Sequence, residues 1–233
     1  MNAPIETDTA VAATAELIDD DARDHLVVTG ADAGTYLQSQ LAQEIGDLAV
    51  GGARWTLVLD PTGKVDALAR IRRPAEDRYE LDTDAGYGAA MDARIRRFMI
   101  RVDVQTELTA AGDVAPGEAH EQRRVAAGWP RLGAEIVPGE TIPATTGVVP
   151  VAVSFTKGCY PGQELVERMD SRGADAPRRL RVIDADASTT VGEPVLVDGT
   201  DVGVVTSVAP DATVAIASIK RGHEVGRPPA HLG

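Results

Sequence analysis

The sequence predicts an α+β protein with a small C-terminal β-barrel, on three observations. Residues 23–108 hold strand-like runs joined by tight turns, with two amphipathic helical stretches between them, the pattern of helices covering an antiparallel sheet. Residues 109–176 begin with an Ala-, Gly-, Asp- and Pro-rich loop and read as a second α+β unit. Residues 177–233 hold only short β segments separated by turn signals, the pattern of a small β-barrel or curled sheet. Ahead of all three, residues 1–22 lack apolar periodicity and read as a loose arm.

Each element has a local reason. HLVVTG, from His25, reads as a strand ending in a glycine turn. Asp32 stands at an N-cap position before a helix whose apolar residues Tyr36, Leu37, Leu41 and Ile45 recur at helical spacing. Trp55 to Leu59 and Val65 to Ile71 flank the turn residues Asp60-Pro61-Thr62-Gly63, which predicts an antiparallel hairpin. Tyr79 to Asp82 adds a strand. Met91, Ile95, Phe98 and Met99 mark a helix from Ala89 to Phe98, and a strand is expected from Ile100 to Leu108. In the second unit, Glu118 to Ala127 forms a helix stopped at Gly128-Trp129-Pro130, and an apolar strand is expected from Val148 to Phe155. The closing β segments are Leu180 to Ile183, Val195 to Val197, Val202 to Val208 and Thr213 to Ile219.

Composition excludes several function classes. Lys and Arg total 23 against 36 Asp and Glu, and a net charge of −13 repels phosphate backbones and anionic lipid, so nonspecific nucleic-acid binding is not expected. No apolar run approaches the roughly 20 residues needed to cross a bilayer. One cysteine forms no internal disulfide and no N-terminal segment reads as a signal peptide, so a cytoplasmic location is expected. With one thiol, a four-ligand zinc or iron–sulfur site made by this chain alone is excluded, and no metal ligands are assigned. His25, His120, His223 and His231 are too widely spaced for a metal site, and Ser154 and Ser171 lack a nucleophile-elbow context.

The chemistry concentrates in SFTKGCYPGQELVERM, Ser154 to Met169, which holds that cysteine. Continued extension from Val151, Val153 and Phe155 would set Lys157 and Cys159 on one face, as neighbours. Tyr160-Pro161-Gly162-Gln163 has Pro at i+1 and Gly at i+2, a type II turn, and leads into a helix with Glu164 at its positive end. A thiol between a strand end and a helix start, beside an ammonium, has two features that favour thiolate. Gly158 would allow a positive φ and a close backbone approach. Taken alone, these residues fit either a functional thiol or a buried, inert one.

KGCYPGQE, Lys157 to Glu164, resembles the signature of the YgfZ-type family, folate-binding relatives of the glycine-cleavage T-protein, an aminomethyltransferase. The resemblance extends through VVTGADAGTYLQSQLAQEI, DPTGKVDALARI and RIRRFMIRVDV, and after the signature through LVERMDSRG, RRLRV, VGVVTSVAP and AIASIKR. It implies a three-part arrangement around a central channel that accepts tetrahydrofolate or a one-carbon derivative, closed by a C-terminal barrel. It also implies support of iron–sulfur proteins and tRNA modification, with iron–sulfur client or assembly proteins as partners. Cys159 and Lys157 become the chemically active pair, and Gly158, Tyr160, Gly162, Gln163 and Glu164 shape their loop.

The resemblance also selects residues outside the signature. Asp66 is a candidate to pair with a pterin edge, against the plain reading of a surface hairpin aspartate. The T-protein carries paired aspartates in this hairpin, whereas here Ala67 follows Asp66, so aminomethyl transfer through Asp66 is the second expectation and a folate-dependent accessory role the first. Arg168 and Arg172, one helical turn apart, either face the channel or pair with Glu164 and Glu167. Arg94, Arg96, Arg97 and Arg101 form the densest basic cluster, either a solvated helix face or an attractor of a glutamate tail or an acidic partner.

Overall fold

The computed structural model describes residues 11, 14–171 and 176–230. The first sheet begins with β1 (Arg23–Thr29), in which buried Leu26 and Val28 alternate with partly exposed residues, as one-sided burial demands. β2 (Ala53–Leu59) and β3 (Val65–Ala75) form the expected hairpin, followed by β4 (Arg78–Asp84) and β5 (Gln105–Thr109). The five strands are antiparallel neighbours in the order β2-β3-β4-β1-β5. Two helices pack against this sheet: α1 (Ala33–Gln40) buries Tyr36 and Leu37, and α2 (Gly88–Arg96) buries Met91 and Ile95. Each fully buried Leu or Ile in this layer contributes about 1.5–3 kcal/mol.

The middle of the chain is packed into the same core. After α3 (Glu118–Ala127), Trp129 lies with its ring 4.8 Å from that of Trp55 on β2, and Leu132, Ile136, Val148, Ala152, Tyr160 and Val166 join the cluster. The segment just before β1 is packed as well, with Ile18 and Ala22 buried and the Thr14 hydroxyl accepting from the Trp55 indole at 2.8 Å.

Four C-terminal strands, β6 (Arg178–Asp184), β7 (Pro194–Val197), β8 (Thr200–Val208) and β9 (Val214–Lys220), pair antiparallel in the order β6-β9-β8-β7. β6 and β7 are the two edges of this sheet, so the expected barrel is an open sheet. Small closed barrels use about five or more strands, and four short ones do not bring the edges together. Val125 of α3 packs on Leu180, Ala209 and Ile216 of this second part. The Arg124 side chain of the same helix ion-pairs with buried Glu135 at 3.1 Å and donates to Ser207 of β8 at 2.8 Å.

Three further expectations are corrected. α1 stops at Gln40, because Leu41 turns extended and bridges Val58 at the edge of the sheet, although Ile45 is still buried. The strand expected from Ile100 starts only at Gln105, since Arg101 takes φ 55 and breaks the extension. Val149–Ala152 forms a single helical turn, α4, where a strand from Val148 was expected: Pro150 fits a helix start but not a ladder. Among the described residues, no helix is long and apolar enough to cross a membrane.

Candidate functional site

The site begins at the β2–β3 turn. Asp60 accepts from the amides of Thr62 (2.8 Å) and Lys64 (2.9 Å) and from the Thr62 hydroxyl (2.8 Å). Burial works against the charge of Asp60, but these donors outweigh it and hold its carboxyl below the usual range. The turn rests on the signature loop through two glycines. Gly162 has φ 83, and a Cβ there would lie 2.6 Å from the Asp60 carbonyl oxygen and 2.8 Å from the Gly63 Cα. Gly63 has φ 87, and its Cβ would meet the Leu165 Cβ at 2.5 Å. Only glycine satisfies both the left-handed backbone and the contact, so the hairpin that carries Asp66 and the turn that follows Cys159 are in direct touch.

Asp66, on β3, lies with a carboxylate oxygen 3.8 Å from the Arg94 Nε. Burial raises its pKa and the Asp60 charge adds to this, while Arg94 and Arg97 oppose without cancelling the rise. The Arg94 guanidinium is itself buried. Its Nε donates to the Leu59 carbonyl at 2.7 Å and its Nη1 to the Gln40 side chain at 3.2 Å, and it lies over the Phe98 ring, 5.1 Å from the centroid. Its Nη2 is buried without a hydrogen-bond partner. Burial lowers the pKa of Arg94, with Asp66 opposing. A guanidinium carries five N–H donors, and a buried one left unmatched is costly. Here a carboxylate that accepts and a guanidinium that donates stand side by side with capacity to spare.

The signature loop is braced from α1. The Lys157 ammonium donates to the carbonyls of Gln38 (2.6 Å), in the last turn of α1, and of Leu41 (2.5 Å) and Gln43 (3.1 Å), just past it, so all three of its donors meet backbone oxygens. Burial pushes its pKa down to about 8, with Glu44 opposing. The ammonium also lies over the ring of Tyr160, 5.3 Å from its centroid. The Tyr160 side chain is buried, and burial, with the charges of Glu167 and Glu164, pushes its pKa up to about 12.

The expected turn forms as read: the Gln163 amide donates to the Tyr160 carbonyl at 3.3 Å, with Gly162 at the i+2 position. α5 (Gln163–Ser171) follows, with Glu164 in its first turn. Cys159 stands exposed as a free thiol. The parity that set it beside Lys157 fails with the strand that carried it, and the lysine is engaged with α1. Gly158 has no positive φ and a Cβ there would meet open space, so the conformational demand falls on Gly162. Glu164 and Arg168 are exposed, and the Gln163 side-chain nitrogen donates to Glu167. Arg172 lies outside the described residues.

Two participants were not singled out by residue type. Gln40 carries no motif. Arg94 belongs to a basic cluster that the sequence leaves open between a solvated helix face and an attractor of anions, yet it follows Met91 by three, a spacing that places it on the buried stripe of α2.

No family model matches the chain. It is 28% identical over 187 residues to an uncharacterized protein of Haemophilus influenzae, covering 64% of this chain and 66% of that protein. Over 100 residues it is 34% identical to the iron–sulfur cluster assembly factor IBA57 homolog, mitochondrial, of Neurospora crassa, covering 41% of this chain and 23% of that protein. The chain thus spans less than two thirds of either relative. Among solved structures, the glycine cleavage system aminomethyltransferase T of Bartonella henselae superposes with a TM-score of 0.73 over 91% of this chain and 81% of the other, at 16% identity, a likeness of fold. These similarities are of the kind the KGCYPGQE resemblance implies: a partial likeness to an iron–sulfur cluster assembly factor homolog, and the fold of the aminomethyltransferase.

Proposed function

We propose that the chain is a tetrahydrofolate-binding accessory protein of the YgfZ type that supports iron–sulfur cluster assembly or repair, and through it tRNA modification, in the cytoplasm. The observation that carries this reading is the contact of Gly63 with Gly162, which joins the thiol-bearing loop to the hairpin of Asp66. A pterin edge offers N–H donors beside a carbonyl acceptor, and the residues present fit it: the Asp66 carboxylate accepts, and the unmatched Arg94 Nη2 donates. When bound, the folate supplies a carrier for one-carbon units. Lys157 holds the loop against α1, Tyr160, Gly162, Gln163 and Glu164 shape the turn, and Arg168 of α5 offers a further cation to the ligand. Cys159, exposed, is available as a single thiolate ligand to a cluster completed by a partner, or to redox chemistry.

Cells lacking the protein, complemented with Cys159→Ala, test the reading: loss of activity of iron–sulfur enzymes despite normal protein level is expected, and full activity would overturn the essential role of the thiol. A second reading, folate-dependent aminomethyl transfer using Asp66, is favoured by the raised pKa of that carboxyl. It requires turnover of an aminomethyl donor by purified protein that Asp66→Asn abolishes, and absence of turnover in the unaltered protein excludes it.

A further inference from the structure

Just past α2, the chain presents an exposed surface, of which Arg97 bears on the site through its charge near Asp66. The run Arg96 to Arg101 reads RRFMIR. Phe98 is 38% and Ile100 is 72% exposed, and Arg97 and Arg101 are exposed beside them. Arg96 is engaged with Asp92 and Thr106. Arg97 and Arg101 form no salt bridge with any carboxylate among the described residues, in a chain with a surplus of acidic groups and a net charge of −13. Arg101 is held at φ 55, a left-handed conformation that is unfavourable for any residue with a side chain. A strained, exposed turn that keeps two unmatched cations next to two exposed apolar side chains has the composition of a binding hot spot.

The chemistry of the patch selects its occupant. A free anion or a phosphate backbone would match the arginines but leave Phe98 and Ile100 in water. An acidic polypeptide segment with interspersed apolar side chains matches both halves. We infer that this turn is the docking surface for such a segment of a partner protein; the inference rests on the reading of the chain as a factor that works with protein partners. The patch also adjoins the site, since Arg94 and Arg97 both lie over the Phe98 ring, at 5.1 and 5.7 Å from the centroid, so a docked partner would border Asp66 and Arg94.

The test places a photo-crosslinking phenylalanine analogue at Ile100 of the full chain, in cells otherwise lacking the protein, with the same group at Val191, which is 65% exposed ahead of β7, as control. The expected product is a crosslink from position 100 to a protein segment rich in Asp, Glu and apolar residues. It should be weak from position 191, reduced at least tenfold by Arg101→Gly and restored by Arg101→Lys. Glycine accepts φ 55 without strain, so Arg101→Gly should hold or raise the melting temperature while it loses the crosslink, which separates docking from folding. A crosslink to nucleic acid, one to a second copy of this chain, one indifferent to Arg101→Gly, or none above the control would each overturn the inference. Titration of tetrahydrofolate into the same proteins keeps the two claims apart: an acidic-segment crosslink without tetrahydrofolate binding removes the folate reading alone, and binding without the crosslink removes the docking surface alone.

Discussion

Two buried arginines, Arg124 and Arg94, meet carboxylates in opposite ways. All five Arg124 donors are matched: Nε and Nη2 to Glu121, Nη1 to the Trp129 carbonyl and to Glu135, and Nη2 also to Ser207. Burial opposes both charges, yet the hydrogen bonds and the mutual attraction raise the pKa of Arg124 and lower that of Glu121. Around Arg94 the shifts are reversed, with the guanidinium lowered and Asp66 raised, and Nη2 has no partner. The first cluster is complete and ties α3 to the C-terminal sheet. The second is incomplete and lies behind the hairpin that touches the thiol loop. An incomplete polar cluster costs stability, and a ligand that accepts from Arg94 would recover that cost.

The largest effect is expected at the complete cluster. Glu135→Ala leaves Arg124 buried and underpaired and is expected to cost about 3–5 kcal/mol, a fall in Tm of about 6–20 °C by calorimetry. Next in size is Gly162→Ala, at about 2 kcal/mol: the left-handed backbone alone costs roughly 1–2 kcal/mol, and the new Cβ pushes on Asp60. Urea unfolding measures the loss, and faster amide exchange over residues 60–66 would locate it at the hairpin. Arg94→Met should cost less than about 1.5 kcal/mol, since only two of its five donors are matched and a buried charge is removed with them. A loss as large as that of Glu135→Ala would show Arg94 to be as fully structural as Arg124.

The smallest effect is a difference of sign with pH. The folded pKa of Asp66 is raised, so its contribution is present below the ordinary value of 3.8 and is lost as pH rises through the folded value. Asp66→Asn should therefore stabilise the protein at neutral pH and not under acid. Glu121 is lowered from 4.5, so its contribution is present above that value and is lost as pH falls through the folded one. Glu121→Gln should therefore destabilise at neutral pH and converge on the parent under acid. Melting temperatures from pH 3 to pH 7, a range of about four units spanning both carboxylates, check the two signs.

What the sequence revealed was local. The hairpin, β4, α3 and the type II turn at Tyr160 to Gln163 follow from residue type and spacing, and the structure has them. The misplaced elements are those where a distant partner decides. Leu41 leaves helical geometry because Val58 offers an edge to pair with, and Ile45 continues the buried pattern without the helix. Pro150 was a local warning against a strand that a run of valines obscured. At the site, the signature gave the loop, but Lys157 is directed at carbonyls more than a hundred residues away in sequence, and Gly63 meets Gly162 across a similar distance. Neither contact has a local signal. The role of Arg94 was legible in its spacing from Met91, yet a basic cluster ordinarily reads as surface.

The most direct test is calorimetric titration of tetrahydrofolate into the unaltered protein, Cys159→Ser, Arg94→Met and Asp66→Asn. Saturable binding to the first two, weakened at least tenfold in Arg94→Met and Asp66→Asn with both still folded, is the result the incomplete cluster predicts. Equal binding by all four, or none by the unaltered protein, would contradict it and leave the unmatched nitrogen of Arg94 as a defect of the fold.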